Sequence, residues 1–462
     1  MLRISYSALS TASVGAAALR LKDINDVFRT AQKVWNVDFQ GGSATTKTLD
    51  FRYNRSPAVP LFHIMDLDGG ILLNEESTSV NGDHDPLFHF KPKDEESLIS
   101  RPLAERMLRT MIVQNTVDKI LLEAQRQGRI SFYMTMFGEE AAVTGAAAAL
   151  QDQDQLYLQY REASALTYRG FTIKDAIAKC MGNTDCKHKG RMMPMIYGSD
   201  NINAQMISAP LATQIPQGSG AGYALRLENE ELLKGLPPGT DLSQVPGARI
   251  CATFMGEGAT SEGDFHAALN FASTVGSHTL FFVRNNGYAI STTTSEQYHG
   301  DGILSRVAGY GMPGARVDGN DILAVYHTVR QARKIILRHN LPVLVEAFTY
   351  RMGHHSTSDD STAYRKKEEI EFFTRNLEPI KRFEQFMIRR GWWDADQSAS
   401  VVNETRKEVM SELRRQEKLP HWPVETLVDD VFDKPTPHLD QQKKQLIEHY
   451  ERYKTQYDKE RD

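Results

Sequence analysis

From Arg101 onward the apolar positions fall at helical spacing. In "RPLAERMLRTMIVQNTVDKILLEAQRQG" the residues Leu103, Met107, Met111 and Ile112 share one face, and Gly128 is placed to end the run. Next comes "ISFYM", whose apolar and aromatic composition predicts a short strand. "GEEAAVTGAAAAL" follows as a helix of small residues that lets another backbone approach closely, and "DQLYLQY" holds a second buried strand. Three apolar runs then alternate with helical stretches. "ARICATFM" (248–255) precedes a helix near 261–275, and "HTLFFVRNN" (278–286) precedes a loop and the helix "DILAVYHTVRQARKIILRH" (321–339). "LPVLVEAFTYR" (341–351) precedes a polar loop. Strands alternating with helices predict an α/β fold, a parallel sheet flanked by helices. Ligands of such sheets lie beyond the C-terminal ends of the strands. Those ends carry "GEG", "NNGY" and "GHHSTSD".

The flanks read differently. "PLFHIMDLDGGILLN" (60–74) predicts a hairpin turning at Asp-Gly-Gly. Beyond Ser361 the chain is amphipathic, charge-rich and helical to its end. The N-terminal stretch holds Arg3, Arg20 and Lys22 among many Ser and Ala, with no acid before Asp23, which predicts a mitochondrial transit peptide. The expected division is a transit peptide at 1–22, an extension with the hairpin at 23–95, an α/β domain at 96–360 and a helical C-terminal region at 361–462. The expected compartment is the mitochondrial matrix.

Composition narrows the function. The 462 residues are 40% apolar with a net charge of −5, which argues against a nucleic-acid partner, and no apolar run is long enough to span a bilayer. The three cysteines, Cys180, Cys186 and Cys251, are irregularly spaced and predict no disulfide framework. Cys180, Cys186 and His188 lack the paired spacing and fourth ligand of a zinc site.

The candidate chemistry lies in "GEGATSEGDFHAALNFASTVGSHTLFFVRNNGYAIS" (256–291). Glu257 and Asn286 are 29 residues apart, about one strand-helix-strand crossover, which brings two neighbouring strand ends together. A carboxylate, an amide oxygen and the main-chain oxygen of Tyr288 can then converge. An all-oxygen, partly open set suits Mg²⁺, whose remaining positions go to phosphate oxygens. Gly256 and Gly258 let the backbone approach that phosphate, and a helix starting near Ser261 would aim its amides at it. Ser261 stands where a dinucleotide fingerprint needs its third glycine, and no P-loop occurs. Taken alone, "GEG" is also compatible with a tight turn.

The same stretch resembles the thiamine-diphosphate fingerprint in its Glu-containing form. "RQGRISFYM", "LATQIP", "NNGYAISTTTSEQYHGDGI" and "YRMGHHSTSDDSTAYR" are similar to the alpha subunits of the branched-chain 2-oxo acid dehydrogenases, from about Leu61 to the C-terminus. The pyruvate dehydrogenase alpha subunits are the nearest alternative. A non-catalytic α/β binding protein with a degenerate site is the alternative of another class.

The resemblance implies the diphosphate-binding half of a thiamine-diphosphate fold, with Mg²⁺ on Glu257, Asn286 and the Tyr288 carbonyl. Tyr160, Arg161, Gly258, Ala259 and Arg284 would hold the diphosphate and neighbouring groups, and Leu211 would line the cofactor pocket. His355 would reach the diphosphate or the reacting centre, ahead of His354. "SAPLATQ" (208–214) resembles a monovalent-cation loop, for K⁺, with the oxygens of Ser208, Pro210, Thr213 and Gln214; the family usually has a serine where Ala209 stands. An ordinary helix start with a threonine cap is the plain reading of that loop.

The implied partners are a beta subunit in an α2β2 assembly, which supplies the glutamate that activates the cofactor, and a lipoyl-bearing transacylase core. Ser356 falls where the family carries a serine phosphorylated by a dedicated kinase, with a matching phosphatase. The second such serine is Lys366 here. The expected ranking is that Ser356→Glu is severe and Ser361→Glu does much less.

Overall fold

Five parallel strands make the central sheet of the computed structural model, which describes residues 58–72, 90–92 and 94–459. They are β1 (Gln155–Tyr157), β2 (Cys251–Gly256), β3 (Thr279–Asn285), β4 (Gly314–Asp318) and β5 (Val343–Phe348), in the order β1-β2-β3-β5-β4. Register pairs Gly256 with Arg284 and Asn285 with Phe348, so the C-terminal ends of β2, β3 and β5 are level. β3 is buried at every residue, which explains its unbroken apolar run.

Alternate residues of the strands enter two cores. Phe281 and Val283 join Ala268, Leu269 and Ala272 of α4 (Gly263–Val275) and Ile215 of α3 (Gln214–Leu232). Leu280 and Phe282 join α1 (Arg101–Arg126), α2 (Glu140–Ala149) and α5 (Ile322–His339). Helices therefore cover both faces. The small residues of α2 act as expected: a Cβ on Gly145 would lie 2.9 Å from the Ile322 carbonyl oxygen of α5.

The chain order runs outward from β1 to β3, then restarts at the far edge with β4 and returns to β5. The order reverses between β3 and β5, beside Asn285 and Asn286. Such a reversal is where open α/β sheets bind ligands.

Beyond Ser361, α6 (Pro379–Arg389) and α7 (Ala395–Gln416) pack on α1, and α8 (Pro437–Lys459) closes the described chain. Phe383, Phe386, Val409 and Leu413 of α6 and α7 belong to the same core as the sheet. The described residues from Ala58 on belong to one compact unit.

Four local expectations change. "ISFYM" is not a strand, because its backbone partners lie elsewhere: Tyr133 N donates to Thr357 Oγ1, and Met136 N just beyond donates to Asp118 Oδ2 at 2.7 Å. β4 has no apolar run to announce it, since its sequence is Gly-Ala-Arg-Val-Asp. The turn of the expected hairpin forms, with Asp66 N donating to Gly70 O and Met65 bridging Ile71, but Phe62 pairs in parallel with Val317 of β4. The helix near 261–275 begins at Gly263, after a 3₁₀ turn over Glu257–Ser261. The expected transit peptide, the rest of the 23–95 extension upstream of Ala58, and the hairpin beyond Leu72 lie outside the described residues.

Candidate active site

Glu257 follows β2 directly and is buried. Its Oε2 lies 3.5 Å from the main-chain nitrogen of Asn286, while Oε1 is buried with no partner among the described residues. Burial, with the neighbouring Glu139 charge adding to it, pushes this carboxyl up to about 7. An unpaired carboxylate oxygen in the interior is costly, and a cation would relieve it. Asn286 follows the last residue of β3, and its Oδ1 accepts from Tyr288 N at 3.1 Å across Gly287, whose φ of +87° suits glycine. Glu257, Asn286 and Tyr288 are thus neighbours at one strand end, and the donor set fits a hard divalent cation. The Tyr288 hydroxyl donates to Glu369 Oε1 at 2.9 Å, and Tyr350 donates to the same oxygen at 2.8 Å. A cavity of about 900 Å³ flanks this turn, lined in part by Tyr298, His299, Tyr350 and Phe373.

The other expected residues divide. Arg161 is buried; Nη1 donates to Thr135 O, Nη2 donates to His355 O at 2.6 Å, and Nε lies 3.6 Å from Glu139 Oε2. The Tyr160 ring meets His355 edge-on at 6.1 Å. His355 Nδ1 lies 3.4 Å from Arg351 Nη1, and its main-chain N–H donates to Asp359 Oδ2 at 2.7 Å. Burial, reinforced by the Arg161 and Arg351 guanidiniums, pushes the His355 imidazole down to about 4, so it is neutral at pH 7. His354 turns elsewhere: its Nδ1 accepts from Ser361 N at 3.0 Å and lies 2.9 Å from Ser361 Oγ.

Arg284, expected to hold the diphosphate or neighbouring groups, is paired with two carboxylates. Nε donates to Glu162 Oε1 at 2.6 Å and Nη1 to Glu139 Oε1 at 2.7 Å, with all three side chains buried. Gly258 is needed by the chain itself, since a Cβ there would stand 2.7 Å from that of Ala289. A Cβ on Gly256 would make only ordinary contacts, 3.9 Å from atoms of Arg284 and Gln159, and Ala259 is buried.

In the 208–214 loop, Thr213 Oγ1 donates to Ser208 Oγ at 2.6 Å and lies 3.2 Å from Pro210 O, so three of the four expected oxygens cluster. Gln214 Nε2 donates to Phe254 O at 3.0 Å, and Leu211 is partly exposed. Thr213 makes no side-chain cap to α3, against the plain reading of the loop.

Ser356 is half-buried beside a groove that also carries Leu122, Arg126 and Phe137. Ser361 is buried against His354, so a charge at Ser361 would be buried too, which reverses the expected mildness of Ser361→Glu. Sequence reading missed Glu139, Gln159, Arg351 and Glu369. The one signal was "GEE", two acids heading an otherwise apolar helix.

Residues 108–425 match the family described as "Dehydrogenase E1 component". A Dictyostelium discoideum protein named "2-oxoisovalerate dehydrogenase subunit alpha, mitochondrial" is 46% identical over 374 residues, covering 79% of this chain and 81% of that relative. Relatives of the same name are 42% identical in Caenorhabditis elegans, covering 87% of this chain and 85% of the relative, and 41% identical in Homo sapiens, covering 91% and 86%. With the family match spanning most of the chain, and relatives this similar along most of their own length, the chain belongs to the dehydrogenase E1 component family.

Proposed function

We propose that this chain is the alpha subunit of the decarboxylating component of a mitochondrial branched-chain 2-oxo acid dehydrogenase complex. With a beta subunit it decarboxylates branched-chain 2-oxo acids and passes the acyl group to the lipoyl arm of a transacylase core. The cofactor is thiamine diphosphate, which when bound supplies the nucleophilic carbon and the electron sink for decarboxylation. Mg²⁺ is held by Glu257 Oε1, Asn286 Oδ1 and the Tyr288 carbonyl, and K⁺ by the oxygens of Ser208, Pro210, Thr213 and Gln214. The observation that carries this reading is the buried, unpartnered Glu257 oxygen next to Asn286 at the reversal of strand order.

The chain's own residues have distinct tasks. Glu257 and Asn286 offer fixed oxygens to the metal, and Gly256, without a side chain, lets the diphosphate approach the backbone beside them. Arg161 and Tyr160 face its negative charge, with Ala259 and Gly258 in the turn beneath it and Leu211 at the rim. Arg284 acts one step back, since its charge is shared with Glu139 and Glu162. Neutral His355 can accept or donate a proton toward the reacting centre while its backbone is held by Arg161 and Asp359. Ser356, next to it, is the site at which a kinase and phosphatase would switch the loop by adding and removing charge.

The test is co-expression with a beta subunit in an α2β2 assembly, followed by thiamine-diphosphate and metal binding and decarboxylation of pyruvate and the branched 2-oxo acids. Preference for branched substrates is expected. Turnover of pyruvate alone would overturn the substrate class, and absence of cofactor binding would overturn the enzyme reading.

A further inference from the structure

The orientation of Asn286 is not left to Asn286. Its Nδ2 donates to Glu139 Oε1 at 3.2 Å. An ionised carboxylate only accepts hydrogen bonds, so the amide nitrogen must face it and the amide oxygen must face away. Oδ1 then points to the side where Tyr288 N already donates to it. Glu139 is buried, and it is held as an anion by Arg284 Nη1 at 2.7 Å on the same oxygen and by Arg161 Nε at 3.6 Å from the other.

The position of Glu139 is equally fixed. It stands at the N-cap of α2 yet makes no side-chain cap. Its neighbour Glu140 accepts from Gly138 N at 2.8 Å instead, which leaves Glu139 free to point to the strand end. A Cβ on Gly138, where φ is +90°, would stand 2.2 Å from Tyr350 O, so the turn is pressed onto the start of the 351–360 loop. Met352 N donates to Phe137 O at 2.9 Å and Thr349 Oγ1 to Gly138 O at 2.9 Å, which ties the two segments together.

We propose that Glu139 is the positioning residue that sets the amide of Asn286 and so presents its oxygen to a divalent cation. This rests on the metal reading of Glu257 and Asn286 given above. The same carboxylate joins that oxygen to Arg161, which holds His355, so one buried anion aligns the metal end and the histidine end of the site. Loss of the carboxylate leaves the amide oriented by Tyr288 N alone, so the flipped amide, which turns a donor to the cation where an acceptor is required, gains population.

The experiment measures Mn²⁺ binding, as a stand-in for Mg²⁺, by electron paramagnetic resonance of free Mn²⁺. It uses the full chain assembled with its beta subunit, at saturating thiamine diphosphate. Glu139→Asp keeps the charge near Arg284 and Arg161 but shortens the reach to Asn286. A rise of about tenfold or more in the Mn²⁺ dissociation constant is expected, with the melting temperature close to wild type. Glu139→Gln should weaken Mn²⁺ at least as much, and Glu139→Gln combined with Asn286→Asp should recover most of the loss, because the aspartate offers an oxygen on both sides. A purely structural role for Glu139 would lower the melting temperature and would gain nothing from the second substitution. Glu257→Gln is measured alongside. If it weakens Mn²⁺ while Glu139→Asp stays within about twofold of wild type, the positioning role is overturned and the metal site stands. If Glu257→Gln leaves Mn²⁺ unchanged, the metal reading itself is overturned.

Discussion

Arg161 donates through Nη2 to the main-chain oxygen of His355 at 2.6 Å, across 194 residues of sequence. A buried guanidinium beside the strand ends therefore holds the backbone of the histidine loop, and a second contact to Thr135 O fixes the guanidinium itself. Arg161→Lys keeps the charge and loses the fork. Hydrogen bonds to charged groups contribute about 1.5–3 kcal/mol, so kcat/KM of the assembled enzyme should fall on the order of ten- to a hundredfold. Cleavage within 353–360 by added protease should speed up. A lysine variant with wild-type kinetics and protease resistance would contradict the tether.

Glu257→Gln removes a negative charge while keeping the size of the side chain. Its unpartnered oxygen becomes an amide, and thiamine diphosphate should be retained far less well on gel filtration of the complex, with decarboxylation lost and the circular dichroism spectrum unchanged. Retention equal to wild type would remove Glu257 from the metal shell.

Ser356→Glu and Ser361→Glu should both inactivate, by different routes. At Ser356 the new charge sits beside Asp359, whose carboxylate already accepts from His355 N and from the Tyr364 hydroxyl at 2.7 Å each. Repulsion there should loosen the loop and leave the melting temperature near wild type. At Ser361 the charge is buried against His354, so the protein should lose stability, by about 3 kcal/mol or more as for an uncompensated buried charge. Calorimetry with limited proteolysis separates the two. Full activity of Ser356→Glu at saturating cofactor and substrate would refute a charge switch at this loop.

Asp118 supplies a pH dependence of stability. Burial pushes its carboxyl up to about 6, against hydrogen bonds from Met136 N, Gln114 and the Tyr133 hydroxyl. The folded chain thus binds this proton more tightly than the unfolded chain. Its contribution is fully present below the ordinary carboxyl range and is lost as pH rises through about 6, to the extent of roughly 1–3 kcal/mol. Asp118→Asn should flatten the dependence of the urea midpoint on pH between about 4 and 6.5. An unchanged slope would show that Asp118 is not the group responsible.

What the sequence made legible follows from where fixed lengths operate. Glu257 and Asn286 were readable as a pair because one crossover sets their separation, and the register of β2 on β3 brings those strand ends level. No such rule relates Glu139 or Glu369 to Asn286. Each comes from another element, and only packing brings them near. Arg284 shows the same limit: its place at the end of β3 was readable, its two carboxylate partners 122 and 145 residues away were not. "ISFYM" misled because its burial is real while its backbone N–H groups bond to side chains of two distant loops, Thr357 and Met195. β4 was invisible for the opposite reason, since Arg316 and Asp318 are occupied by Asp301, Glu346 and Arg382 inside the fold.

The ring of Tyr288 is braced by a carboxylate 81 residues further along the chain, on the helix Lys367–Asn376. A polypeptide drawn end-first through a narrow pore delivers Glu139, Glu257 and Asn286 well before that brace arrives. Until the helix emerges, every expected metal ligand is inside but the turn that orders them is unsupported. The order of the chain thus separates the arrival of the ligands from the arrival of their brace by 81 residues. A chain cut short anywhere between residues 290 and 366 would carry the full fingerprint and lack the strut that steadies it.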